Sequence, residues 1–286
     1  MGARRRLDLE LVRRGLAPSR ERAQADIAAG RVTVGGAPAT KASRMVDASE
    51  AVLVHGPPPK FVSRAGAKLE GAVEHFAVQD IVAGARVLDA GASTGGFTDC
   101  VLQYGAAEVV AVDVGHNQLH EKLERDPRVR SIERTNLRTV DPALLGPAVD
   151  LVVGDLSFIS LALVLDTLGA AAAPGAVYVL LVKPQFEAGR TEVSKGKGIV
   201  DNPLIWRRVL AEVSAALLER NAAIMGVMVS PITGSDGNVE FILLGRFAGS
   251  VDPIGRHCSL DSSSLDAAFD IVTGCLDDVA LPGGED

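Results

Sequence analysis

From residue 86 onward, short apolar runs alternate with stretches of helical periodicity. Strands are predicted at 86–90, 108–113, 129–133, 149–154, 176–182, 224–230 and 239–246, and helices at 97–105, 157–170 and 203–220. "KFVSRAGAKLEGAVEHF" reads as an amphipathic helix ahead of the first strand. Strands that alternate with helices imply an α/β fold, with a mainly parallel sheet covered on both faces. Such sheets hold ligands beyond the carboxyl ends of their strands.

The first sixty residues follow a different rhythm. Leu7, Leu11 and Val12 recur at helical spacing, and Gly15 ends that helix. Ser19 is the expected N-cap of a second helix, with Ala23, Ile27 and Ala28 facing inward and Gly30 as terminator. "RVTVGGAPAT" is a strand running into a Gly35-Gly36 hairpin, and "AVLV" supplies another strand. The prolines of "HGPPPK" make a stiff linker. The expected organisation is a small α+β domain at 1–59, a linker at 60–63, an α/β domain at 64–248 and an acidic tail at 249–286. One helix, at 261–276, is expected in that tail.

Composition sharpens this picture. The chain has 286 residues, 47% hydrophobic and 23% charged, enough for two domains of an ordinary soluble protein. No twenty-residue uncharged helix and no signal peptide is evident. Cys100, Cys258 and Cys275 are scattered and odd in number, which points to a reducing cytoplasm without disulfides. Residues 1–60 carry eleven Lys/Arg against six Asp/Glu, a net of +5, so the remainder of this chain of net charge −7 carries −12. A basic head on an acidic body suggests a polyanionic partner for the head.

The chemistry begins at "VLDAGASTGGFTD". The spacing of Gly91, Gly95 and Gly96 fails G-x-G-x-x-G, and Phe97 stands where a phosphate loop needs lysine. Asp89 would repel a pyrophosphate but suits a cationic, amine-bearing ligand, and S-adenosylmethionine is the reading that fits. The turn residues Gly91, Ser93, Thr94, Gly95, Gly96 and Phe97 are then expected at the cofactor. Asp113, ending the next strand, can take both hydroxyls of a ribose. Asn136, after the third strand, is placed to flank the adenine.

Charge also stands at other strand ends. Asp155 follows strand four in "LVVGDLSFIS", Lys183 closes strand five in "VLLVKPQFE", and Glu240 opens the last strand in "GNVEF". Lys68 lies on the helix before the first strand. A lysine closing an apolar central strand is costly unless paired. The four would converge on one sheet edge, where Lys183 can act as general base, Asp155 and Glu240 orient, and Lys68 stabilises negative charge. Asp155 also faces the cofactor.

Together with the basic head and proline linker, "DAGASTGGFTD", "DLSFIS", "VKPQFE" and "GNVEF" resemble the TlyA family, often labelled hemolysin-like, over roughly residues 4–247. The resemblance implies a Rossmann-like, S-adenosylmethionine-dependent methyltransferase domain of FtsJ type, its sheet mainly parallel with an antiparallel last strand. It implies 2'-O-methylation of cytidines in ribosomal RNA or ribosomal subunits, with the family's Lys-Asp-Lys-Glu tetrad on Lys68, Asp155, Lys183 and Glu240. The head resembles the alpha-L RNA-binding domain, whose RNA face falls on Arg6, Ser19, Arg20 and Lys41, with Arg4 alongside. Arg64 is also expected to bind RNA, as positive charge near the mouth, together with Arg190, Lys195 and Lys197 of the loop at "EAGRTEVSKGKGIV".

Other features point elsewhere. His116 and His120 lack the zincin pattern and a third ligand, His257-Cys258 is incidental, and no metal is expected. Trp206 is expected to pack on the sheet. The competing readings are a non-catalytic ribosome-assembly factor, a membrane-lytic hemolysin, and a methyltransferase for a small molecule or protein.

Overall fold

The computed structural model describes residues 4–17, 19–56, 59–189, 192–193, 198–247 and 259–274. The chain divides into two compact units, Met1–Ser63 and Arg64–Asp286.

In the first unit, helices Leu7–Arg13 and Arg20–Ala28 accompany five short strands. These are β1 (Arg5–Arg6), β2 (Val32–Val34), β3 (Ala37–Pro38), β4 (Met45–Val46) and β5 (Val52–Val54). β1 pairs with β4, and β2 is flanked by β3 and β5, all antiparallel. Leu7, Leu11, Ala23, Ile27, Val32, Val34, Val46 and Val52 form its core. Ser19 caps the second helix as expected, accepting from Arg22 N at 3.1 Å.

Ala28, expected to face inward, and Val12, which shares the helical spacing of Leu7 and Leu11, are not buried. Val12 is 36% exposed and Ala28 is exposed, while Asp8, Glu10 and Asp26 are buried. At 3.6 residues per turn, Asp8 and Glu10 lie about 80° to either side of the Leu7–Leu11 stripe, and Val12 falls farther round. Burial of the acids is possible because arginines cover each one: Arg6 and Arg20 on Asp8, Arg13 and Arg14 on Glu10, Arg22 and Arg31 on Asp26. The pair formed by Arg13 and Arg14 holds the Glu10 carboxyl down at about 2 against the cost of its burial.

The second unit is built on seven strands: β6 (Arg86–Ala90), β7 (Glu108–Val112), β8 (Val129–Ile132), β9 (Val149–Gly154), β10 (Ala172–Val182), β11 (Ala223–Val229) and β12 (Phe241–Arg246). Their order is β11-β12-β10-β9-β6-β7-β8. All neighbours are parallel except at β12, which runs against both β10 and β11. The buried positions of the central strands are apolar, as burial on both faces requires, except for Asp89 in β6. The strand order reverses between β6 and β9, and the crevice beyond their carboxyl ends is the place where such sheets take ligands.

Two element boundaries differ from expectation in ways that matter. The helix anticipated at 157–170 begins only at Leu165, after a 3-10 turn at Leu161–Leu163 capped by Ser160. Phe158, with φ of +64°, stops any earlier start, because a left-handed residue cannot be continued as a helix. Residues 155–160 are thereby left as a loop beyond β9. In the tail, Ser262–Gly274 is a helix whose Leu265, Phe269 and Val272 enter the main core. Arg207 of helix Pro203–Leu218 pairs with its Asp266 and Asp270. This part of the tail completes the core. His257, Cys258 and Cys275 lie outside the described residues.

Candidate active site

β6 leaves the sheet at Ala90, and Gly91 turns with φ of +85°. A Cβ there would meet the carbonyl oxygen of Asp155 at 3.1 Å and the Leu156 side chain at 3.0 Å. Only glycine lets this turn pass beside the exit of β9. The two segments border a cavity of about 560 Å³, also lined by Ser93, Asp113, Gln118, Thr135, Asn136, Leu137 and Phe158. A cleft with apolar walls and a few polar groups is the usual form of a small-molecule site.

Asp113 is fastened by the turns it serves. Its carboxylate accepts from Ser93 N at 2.8 Å and from Gly115 N at 2.7 Å, one bond on each oxygen. Each oxygen keeps acceptor capacity for a ligand hydroxyl. Gly91, Ser93, Asp113, Asn136 and Asp155 of the expected set line the cavity; Asp89, Thr94, Gly95, Gly96 and Phe97 do not. Phe97 is in the core, and the carbonyl of Thr94 accepts from His120 N. Gly95 caps helix Gly96–Gln103 with φ of +93°, and a Cβ there would overlap Leu123 and press on Leu119 at 2.8 Å. Its glycine is a packing requirement. Gly95→Ala should therefore destabilise the protein by about 2–4 kcal/mol in thermal unfolding, through strain and overpacking together.

Asp89 lies behind the turn with no exposed surface. One carboxylate oxygen accepts from the Thr98 hydroxyl at 2.6 Å, and the other has no hydrogen-bond partner. Burial pushes this carboxyl up to about 7; the Thr98 bond opposes the rise, and the neighbouring charge of Asp155 adds to it. An unpartnered, fully desolvated carboxylate oxygen fits an ammonium-bearing ligand.

The four charged residues converge. Lys68 Nζ is 2.6 Å from Glu240 Oε2 and 3.6 Å from Asp155 Oδ2. Lys183 Nζ is 2.5 Å from Asp155 Oδ1 and donates to Ser157 Oγ at 2.8 Å. Lys68, Lys183 and Glu240 are nearly buried, so each charge depends on the others for compensation. Helix Ala65–His75 supplies Lys68, the ends of β9 and β10 supply Asp155 and Lys183, and the residue before β12 supplies Glu240. Because β12 runs opposite to β10, its start reaches the edge where β9 and β10 end. Asp155 belongs to both the cluster and the cavity wall.

Ser157 and Phe158 escaped the sequence reading, although "DLSFIS" displayed them. Phe158 is 91% exposed, lines the cavity and packs at 4.9 Å against Phe186, whose ring is 5.7 Å from Lys183 Nζ. A phenylalanine three residues after the strand-end Asp155 was the available signal. Trp206 packs as expected, buried and donating to Val200 O at 2.8 Å.

In the first unit Arg4 and Lys41 are exposed, Arg6 and Arg20 are half-exposed, and Ser19 is engaged as a cap; Arg64, in the second, is exposed. Arg190, Lys195 and Lys197 lie outside the described residues. His116 pairs with Glu133 at 2.7 Å and His120 accepts from Lys122 N. Among the described residues no group of three or more His, Cys, Asp or Glu can hold a metal, and no helix is long and apolar enough to cross a membrane.

Residues 61–247 match the family described as FtsJ-like methyltransferase, and residues 5–52 match the S4 domain. The chain is 49% identical to the 16S/23S rRNA (cytidine-2'-O)-methyltransferase TlyA of Mycobacterium tuberculosis over 244 residues, covering 85% of this chain and 90% of that one. It belongs to the TlyA family of FtsJ-like methyltransferases. Another relative, Hemolysin A of Brachyspira hyodysenteriae, is 39% identical over 83% of this chain and 98% of its own. A solved structure of a candidate hemolysin from Streptococcus thermophilus aligns with a TM-score of 0.72 at 35% identity, covering 97% of this chain and 98% of the other.

Proposed function

We propose that this chain transfers a methyl group from S-adenosylmethionine to the ribose 2'-hydroxyl of a cytidine in ribosomal RNA. The observation that carries the reading is the Glu240–Lys68–Asp155–Lys183 chain of ion pairs, which meets the wall of the cavity at Asp155. When bound, adenosylmethionine supplies an electrophilic methyl group on a sulfonium. Gly91, Ser93, Asp113, Asn136 and Asp155 would line its site, with Asp113 at the ribose hydroxyls and Asn136 at the adenine, while Asp89 would attract the amino group from behind the turn. Thr94, Gly95, Gly96 and Phe97 shape the turn from behind.

Lys183, in its neutral form, receives the proton as the ribose O–H bond breaks, and the carboxylate of Asp155 stabilises the ammonium that results. The exposed hydroxyl of Ser157 gives that proton an exit to solvent. Lys68, held by Glu240, stabilises negative charge as it develops on the ribose oxygen. Phe158 offers its exposed ring as a stacking surface for the target base. The head, residues 1–59, holds RNA through Arg4, Arg6, Ser19, Arg20 and Lys41, with Arg64 at the start of the catalytic domain at 64–248. The head has no aromatic residue, which favours phosphate and shape contacts over base stacking.

The test offers labelled adenosylmethionine with separated ribosomal subunits and with naked ribosomal RNA, then maps the labelled nucleotide. Label on a cytidine ribose that resists alkaline cleavage is expected. Binding without transfer to any of these substrates would instead support the assembly-factor reading. Dye release from liposomes tests the lytic one.

A further inference from the structure

Asp8 is the acidic residue of the head with the least reason to be there. It is fully buried on helix Leu7–Arg13 in a domain whose expected partner is itself polyanionic. Its carboxylate is surrounded by donors from two helices and a strand. Arg6 Nε donates to Oδ1 and Arg6 Nη2 to Oδ2, both at 3.0 Å. Arg20 Nε and Gln24 Nε2 each donate to Oδ2 at 2.9 Å. The backbone N–H of Leu9 completes the set on Oδ1 at 3.0 Å.

Among the described residues, much of both guanidiniums is unused. Arg6 engages one edge of its fork, which leaves Nη1 and one Nη2 hydrogen without a partner there; Arg20 engages only Nε, which leaves both terminal nitrogens so. The side chains remain 40% and 54% exposed while their partner is completely covered. One buried carboxylate thus joins two arginines, fourteen residues apart in sequence, into a single element of net charge +1 with its donors outward. Free arginine side chains lose much rotamer freedom when they bind, and an anchored pair has already lost it. The same planar fork is suited to phosphate oxygens.

We infer that Asp8 is a positioning residue that fixes Arg6 and Arg20 as one preformed site for an RNA backbone phosphate. The inference rests on the RNA-binding role of the head and adds to it that a negative charge in this head strengthens binding to a polyanion. Net charge alone makes the opposite forecast, since neutralising Asp8 makes the head more basic.

The experiment uses the full chain and fluorescently labelled, purified ribosomal RNA, titrated at several salt concentrations. Asp8→Asn should weaken binding by about 5- to 20-fold at fixed salt, despite the added positive charge, and should make the salt slope shallower by about one. Equal or tighter binding by Asp8→Asn would overturn the inference. Because burial makes Asp8→Asn a risk to folding, the surface variants Arg6→Gln, Arg20→Gln and their double supply a second measure. A preformed pair gives a double variant that loses clearly less than the product of the single losses; a simple product shows two independent contacts and overturns it as well. If neither arginine variant changes RNA affinity, the RNA-binding role of this face fails. Weakening by both arginine variants with none by Asp8→Asn leaves that role standing and removes only the preformed site.

Discussion

Lys183→Ala lowers the single-turnover rate of methyl transfer by about 10²–10⁴-fold at saturating RNA and cofactor, the range expected for loss of a general base. Lys183→Arg separates two roles that alanine removes together. Arginine keeps a positive charge beside Asp155 but does not accept a proton at neutral pH. If Lys183 takes the ribose proton, the arginine variant is as slow as the alanine variant. If Lys183 only balances Asp155, the arginine variant keeps most of the rate. Binding of RNA and adenosylmethionine should be nearly unchanged in both, because Asp155 retains Lys68 at 3.6 Å as a second cation. Transfer by Lys183→Ala at the wild-type rate would remove the assignment.

Asp89→Asn has two opposite effects. Cofactor affinity falls by about 10- to 100-fold, as loss of a buried negative charge that attracts the amino group predicts. The cofactor-free protein becomes more stable at pH 8. The sign follows from proton linkage. An unfolded aspartate titrates near ~4, whereas burial pushes Asp89 in the folded protein up to about 7. Between these values the folded state holds more protons, so stability falls as pH rises, and the full penalty, on the order of 2–4 kcal/mol, is present above pH 7. Asparagine is neutral throughout and removes that slope, which melts recorded from pH 5 to pH 8 would show. Cofactor affinity in the wild type should weaken below about pH 7 as Asp89 takes up its proton. Calorimetric titration of Asp89→Asn with unchanged affinity and unchanged pH dependence would show that Asp89 is a structural group behind the turn.

Much of the catalytic unit was legible because its signals are local. Strand and helix periods follow from which faces are covered, and the observed strands begin and end close to the apolar runs that predicted them. The hairpin at Gly35-Gly36 and the cap at Ser19 are likewise encoded in a few adjacent residues. The burial of Asp8, Glu10 and Asp26 was not legible, since an acidic residue between arginines on a short helix reads as solvated surface until its partners are known. Nor could spacing separate Gly91, which borders the cavity, from Gly95, which makes room for Leu119 and Leu123.

By itself the sequence determined the order of strands and helices, the glycine turn after β6 and the charges at strand ends, because each depends on neighbours within a few residues. The tertiary structure alone decided which charges meet. Lys68 and Glu240 are 172 residues apart and form a 2.6 Å pair only because β12 enters the sheet antiparallel beside β10. It also decided that Phe158 projects at the cavity instead of starting a helix, and that the helix of the tail belongs to the core. Sheet order and strand direction bring distant residues to one edge, and burial there makes a lone charge costly, so the four had to be compensated together.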